Sequence, residues 1–223
     1  MKPSRRLRRL GTCAFGVLVL PALAHAAPIA RADLIALCRD AEDQAHCGRL
    51  VEARQLKALP RIAERNGDEL RVQLTPFGLT VFHDTINVTG ALTYAVWDYL
   101  ERLDTLVLFT TVGERTGFML VQRRTGDEHR VPAEPMMAPD GRHFATADVC
   151  ARECDNEVAV WRIGKDGVHK VAAWTPPAAW SDVSVAWRSG DALVVEYSVA
   201  GESAPRTVER RLDDPSWKKL PAK

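Results

Sequence analysis

"DTLVLFTTVGERTGFMLVQRRTGDEHRV", Asp104 to Val131, holds three apolar and β-branched runs separated by "GERTG" and "TGDE". Runs of roughly five to eight residues punctuated this way mark antiparallel strands joined by tight turns. A related unit, "DGRHFATADVCARECDNEVAVWRIGKDGVHKV", begins at Asp140, and a shorter one, "SGDALVVEYSVAGESAPRTVERRL", begins at Ser189. Each unit is a strand, a connecting loop and a second strand, and the first two add a turn and a third strand. Repetition of this size points to sheet units that bury their faces against neighbouring copies.

Upstream, "ELRVQLT" places Leu70, Val72 and Leu74 on one face, "PFG" turns the chain, and "LTVFHD" alternates again, which is a hairpin pattern. Residues 68–223 therefore read as one antiparallel β domain. Before Gly67 the pattern is helical. Leu34, Leu37, Leu50, Val51 and Leu56 recur near the helical period, Pro60 breaks or restarts the helix, and Asn66-Gly67 ends the segment with a turn. This predicts a helix-turn-helix appendage over 27–67, helical as far as residue 65.

The first ten residues carry five basic side chains and no acidic one, and an apolar run then leads to Ala24-His25-Ala26. That is the form of a cleaved export signal over 1–26, with Ala27 as the mature start. The apolar run is shorter than the roughly 20 residues a membrane-spanning helix needs. Without the leader's five bases the mature chain keeps 25 of its 30 Lys and Arg against 29 Asp and Glu. A net negative chain of this kind argues against nucleic acid as the partner. A periplasmic location is expected, or an extracellular one, with no membrane span in the mature chain.

Four cysteines remain: Cys38, Cys47, Cys150 and Cys154. An even count in an exported chain favours disulfides. On one straight helix Cys38 and Cys47 would lie about 13.5 Å apart along the axis, beyond the reach of a bridge. "RDAEDQAH" can supply a break, with Asp40 or Asp43 capping a second helix from near Gln44. Local pairing, Cys38–Cys47 and Cys150–Cys154, is favoured among the three possible pairings. Cys-x-x-x-Cys running from loop into strand fits neither zinc-ligand spacing nor a redox motif, so Cys150 and Cys154 read as a structural staple.

"PMMAPDGRHFATAD" followed by "NEVAVWRIGKDG" resembles one blade of the periplasmic Tol-associated and WD-repeat β-propellers. Pro135, Pro139, Asp140, Gly141, Phe144 and Trp161 occupy the matching places, and Ala138 stands where that family usually has serine. The resemblance implies blade-like sheets and no catalytic residue. Residues 68–212 supply fewer than the four blades of about 40 residues that a closed ring needs. The expected fold is thus mainly β, either propeller-like blades or a β-sandwich, with the helical appendage.

Chemistry-bearing motifs are sparse. His46, His83, His129, His143 and His169 form no paired spacing for a metal, and no cofactor or catalytic residue is assigned. His83-Asp84 reads as a solvated edge pair. Val158 and Val160 should share one face of an interior strand, with Ala159 and Trp161 on the other. Four tryptophans, Trp161, Trp174, Trp180 and Trp187, lie close together, and "WTPPAAW" brackets Pro176 and Pro177 between two of them. An exposed indole beside a rigid turn suits a partner contact, so Trp174, Pro176, Pro177 and Trp180 are the candidate partner-binding residues. The expected function is non-catalytic binding of a periplasmic or envelope protein, as an inhibitor, an immunity-type neutraliser or a scaffold. A carbohydrate or peptidoglycan binder, or a hydrolase whose residues converge only in space, are the alternatives.

Overall fold

The computed structural model describes residues 29–87, 90–150 and 154–220; the expected leader over 1–26 and its expected cleavage site lie outside them. Two helices come first, α1 (Arg31–Leu37) and α2 (Gln44–Ala58). Asp43 caps α2, its carboxylate accepting the backbone N–H of His46 at 2.7 Å. The break between the helices brings the Cα atoms of Cys38 and Cys47 to 4.9 Å, and the two are bridged. Cys150 and Cys154 are bridged as well, with Cα atoms 5.7 Å apart. Both local pairings therefore form.

The helix does not run on to residue 65. It ends at Ala58, and the chain re-enters as β1 (Ala63–Asn66). Pro60 has no N–H to continue the helical ladder. Extended backbone lets Ala63 face the core while Arg65, two positions on, reaches back to Glu52 at 2.8 Å. Asn66-Gly67 then turns into β2 (Glu69–Gln73), with Gly67 at a φ of 62° that a side chain would resist. β3 (Leu79–His83) completes a three-stranded sheet in the order β1-β2-β3.

The second sheet comprises β4 (Thr85–Asn87), β5 (Gly90–Leu100), β6 (Thr105–Val112), β7 (Arg115–Gln122) and β8 (Asp127–Val131), hydrogen-bonded in chain order. The third contains β9 (Met136–Met137), β10 (His143–Asp148), β11 (Glu157–Gly164) and β12 (Gly167–Trp174). The fourth contains β13 (Trp180–Ser189), β14 (Ala192–Val199) and β15 (Arg206–Arg211). The chain then returns to the third sheet, where β16 (Lys218–Lys219) pairs with β12. Each sequence repeat falls within one sheet: the Asp104 unit supplies β6 to β8, the Asp140 unit β10 to β12, and the Ser189 unit β14 and β15.

Three hydrophobic cores join these sheets in order. Leu70, Val72 and Phe82 of the first sheet meet Val96, Leu106 and Leu108 of the second. On the opposite face of the second sheet, Val107, Phe109 and Leu120 meet Phe144 and Ile163 of the third. Val158, Val160 and Trp174 of the third then meet Val185, Leu193 and Val195 of the fourth. The period-two alternation of strand side chains makes this possible. Consecutive residues 106 to 109 serve two cores in turn, which is why β6 reads as an unbroken apolar run. Val158 and Val160 face the fourth sheet while Trp161 packs toward the second, as their spacing requires. Among the described residues, no core joins the fourth sheet to the first.

The second sheet has an exposed seam. β4 covers β5 only from Gly90 to Leu92, and side chains take the place of a neighbouring strand beyond it. The Tyr94 N–H donates to Asp84 Oδ1 (2.9 Å) and the Tyr94 carbonyl accepts from Arg65 (2.5 Å). The Val96 N–H donates to Glu52 Oε2 (3.0 Å), and the Trp97 carbonyl accepts from Gln55 Nε2 (2.7 Å). A sheet edge is thus closed by α2 and its ion pairs. Of the expected solvated edge pair His83-Asp84, His83 is exposed at the end of β3, and the expectation is corrected for Asp84 alone. Asp84 is largely buried and salt-bridged to Arg49 and Arg65, because its carboxylate is needed at the edge of β5.

Glu52, 3% exposed, gathers Arg49, Arg65 and the Val96 N–H on two oxygens. Glu52→Gln would set an amide N–H₂ against donors. We expect it to cost about 3–5 kcal/mol, the scale of breaking one partner of a buried pair. Asp33→Asn, which removes the exposed partner of Arg54, should cost under about 1 kcal/mol. Urea titration of both variants checks the contrast.

Candidate functional site

The first strand irregularity of β5 prepares the site. The pairing with β6 shifts between Val96 and Asp98, leaving Trp97 without a partner residue opposite it. Its ring packs on Phe109 and edge-on against Phe118 at 5.3 and 5.5 Å between centroids. With its carbonyl held by Gln55, its indole N–H donates to Glu134 Oε1 at 2.8 Å. Asp98 follows, and accepts the Tyr99 N–H at 2.8 Å. The segment between β8 and β9 carries Glu134 and Pro135 across the front of this strand. It is anchored at its far end by the Trp187 indole N–H, which donates to the Met136 carbonyl at 2.7 Å.

A groove with two chambers opens here, roofed by Ile29 and Leu34 from the start of the described chain and α1. The first chamber, about 270 Å³, is walled by Trp97, Asp98, Leu100 and the 134–137 segment. The second, about 540 Å³, continues past Met136 to Val183–Ala186 of β13 and to Val194 and Glu196 of β14. Both chambers share Ile29, Leu34, Glu134 and Met136. The roof is lightly held: α1 buries no residue of its own, and the Cys38–Cys47 bridge and the Asp33–Arg54 pair fasten it to α2.

The electrostatics of the first chamber are one-sided. Its walls carry Asp98 and Glu134 and no basic residue. Burial pushes the Asp98 carboxyl above the ordinary carboxylate range, the Tyr99 N–H pulls it back in part, and the neighbouring Glu134 charge adds to the rise. Arg31, on the roof, lines only the second chamber. Among the described residues, no group of three His, Cys, Asp or Glu side chains is arranged to hold a metal ion.

The tryptophan segment is placed differently from its expected role. Trp174 is buried in the third core, with Arg210 stacked 4.6 Å above its ring. It shares the parity of Ala172, so an exposed contact there is corrected to a core position. Trp180 is half-buried, edge-on to Trp174 at 5.6 Å and stacked on Tyr197 at 3.5 Å, so one indole face is already covered. Pro176 is buried and Pro177 exposed; none of the four lines the groove. His143 is a turn clamp. Its ring meets Asp140 at 2.5 Å, and the hydrogen bonds from His143 and Arg142 outweigh partial burial to hold that carboxyl at about 2. The groove residues were missed because they come from four distant parts of the chain. The one local signal was Asp98 itself, an acid inside the apolar run "TYAVWDYL".

Two outcomes follow. An acid whose pKa is raised by folding holds its proton more tightly in the native state. Its destabilising effect is therefore absent when both states are protonated and is full above the native pKa. Asp98→Asn should raise the melting temperature at pH 7, with the gain vanishing by about pH 3, as differential scanning calorimetry across pH would show. Trp174→Ala should cost about 3–5 kcal/mol in denaturant titrations, as a truncated core aromatic does. Comparison of the chain with protein-family models, characterised proteins and solved structures finds no match, so the groove rests on its own chemistry.

Proposed function

We propose that the protein is a non-catalytic binding protein of the bacterial periplasm, and that its groove receives an extended segment of a protein partner. One observation carries this reading. Four consecutive residues of β13, Val183 to Ala186, line the second chamber. Ser184 and Ala186 line it together with their β14 partners Glu196 and Val194; since strand side chains alternate, the inclusion of Val183 and Val185 carries the lining around to the outer edge of β13. β13 is the terminal strand of the fourth sheet, so its backbone donors and acceptors suit pairing with an added strand. Two bridged cysteine pairs fit an oxidising compartment, and among the described residues no helix is long and apolar enough to cross a membrane. The one-repeat-per-sheet stacking supports the propeller-like reading of the β domain, in which an open arc of blades serves as a scaffold for the groove.

A hydrolase is the second reading, favoured by the paired acids Asp98 and Glu134 in one chamber. Turnover of peptidoglycan or peptide by the purified protein, lost in Glu134→Gln, would replace binding with catalysis. The glycan-binding reading loses its platform, since Trp174 is buried and Trp180 lies against Tyr197.

The test is capture from envelope extract by the immobilised mature protein and by Ala186→Trp, which places a bulky ring at an exposed position in the groove. We expect proteins retained by the first to be lost by the second at an unchanged melting temperature. Equal retention by both would remove the groove from the binding surface.

A further inference from the structure

Resting on the groove as the binding site, we propose that the bound segment inserts a lysine or arginine, flanked by apolar residues, into the chamber walled by Asp98 and Glu134. Charge complementarity sets the choice. Neither carboxylate is ion-paired to a cation among the described residues, and the chamber they share has no basic residue on its walls. Elsewhere in the molecule buried acids are matched: Glu52 by Arg49 and Arg65, and Asp104 by Arg123 at 2.5 Å. Asp98, half-buried, has no such match, and Glu134 beside it is exposed to solvent, so a cation entering from outside meets both carboxylates.

Shape and direction agree. At about 270 Å³ the chamber is smaller than the roughly 300–1,000 Å³ that encloses a drug-sized ligand, and suits one long side chain. Met136, Met137 and Leu100 offer an apolar path for its methylene stem. The Trp97 indole fixes Glu134 and adds an aromatic wall, which favours a cation over a neutral chain. The second chamber sets Arg31 against Glu134 and Glu196, whereas the first has acids alone, so a positive group is better matched at the Asp98 end, with the neighbouring residues of the segment along β13. Two carboxylates fall well short of the six to eight oxygens that a calcium ion gathers, which leaves an organic cation as the fitting occupant.

The experiment uses four pools of acetylated, amidated pentapeptides, with lysine, arginine, norleucine or glutamate fixed at the centre and the other positions randomised. Each pool is passed over the immobilised mature protein and the retained peptides are quantified by mass spectrometry. We expect lysine and arginine pools to be retained at least about tenfold over norleucine, corresponding to about 1.4 kcal/mol, and glutamate to be excluded. The Asp98→Asn, Glu134→Gln double variant should bring the lysine-to-norleucine ratio close to one, and Ala186→Trp should lose all retention. Norleucine retained as well as lysine would overturn the cation while leaving the groove as a binding site. Retention of no pool, or equal retention by Ala186→Trp, would overturn the groove reading and this proposal with it.

Discussion

Glu52 is the constraint on which the arrangement of the N-terminal half depends. One carboxylate, almost wholly out of water, accepts from two guanidinium groups and one backbone amide. Each partner belongs to a different element: Arg49 to α2 itself, Arg65 to β1, Val96 to β5. A buried charge held this way contributes little net stability compared with an apolar core of the same size, but misplacing any partner is costly. Its effect is to fix positions. The helix is seated against a strand edge that would otherwise be open, and β1 is pulled out of the helical path. Everything α2 carries, including the bridge to α1 and the roof of the groove, inherits that placement.

The β domain is held by a different logic. The second and third sheets are covered on both faces, so their strands use both side-chain parities for packing, and the cores follow one another along the stack. Direction comes from turns rather than charges. This part was legible in the sequence: the three repeat units mark three sheets, and the parity of Val158, Val160 and Trp161 is the parity observed. The helix pair and both disulfides were legible too, because caps, breaks and cysteine spacing are local signals.

What was not legible shares one cause, which is distance along the chain. β1 was hidden because Arg65 finds its partner thirteen residues back, and helical spacing of apolar residues cannot register a side chain reaching for a buried acid. The groove was hidden because residues 29, 98, 134 and 184 meet only after three sheets have stacked. The tryptophans misled for the opposite reason. Their clustering is conspicuous along the chain, yet Trp174 lies in step with Ala172 and faces inward, so a count of aromatics marked a core boundary as a surface.

The return of the chain to the third sheet has a consequence for how the fourth sheet is held. Lys218 and Lys219 pair with Ala173 and Ala172, and Trp217 fills the third core, its indole N–H donating to the Arg211 carbonyl at 2.9 Å. A chain emerging from its N-terminus completes the first and second cores while the third still lacks an edge strand and a tryptophan. These arrive only after the whole fourth sheet has been made. The third core therefore draws on residues from both sides of the fourth sheet in sequence. The fourth sheet is thus an insertion whose two ends are held side by side on β12, which ties its position to the third sheet through the backbone as well as through the core.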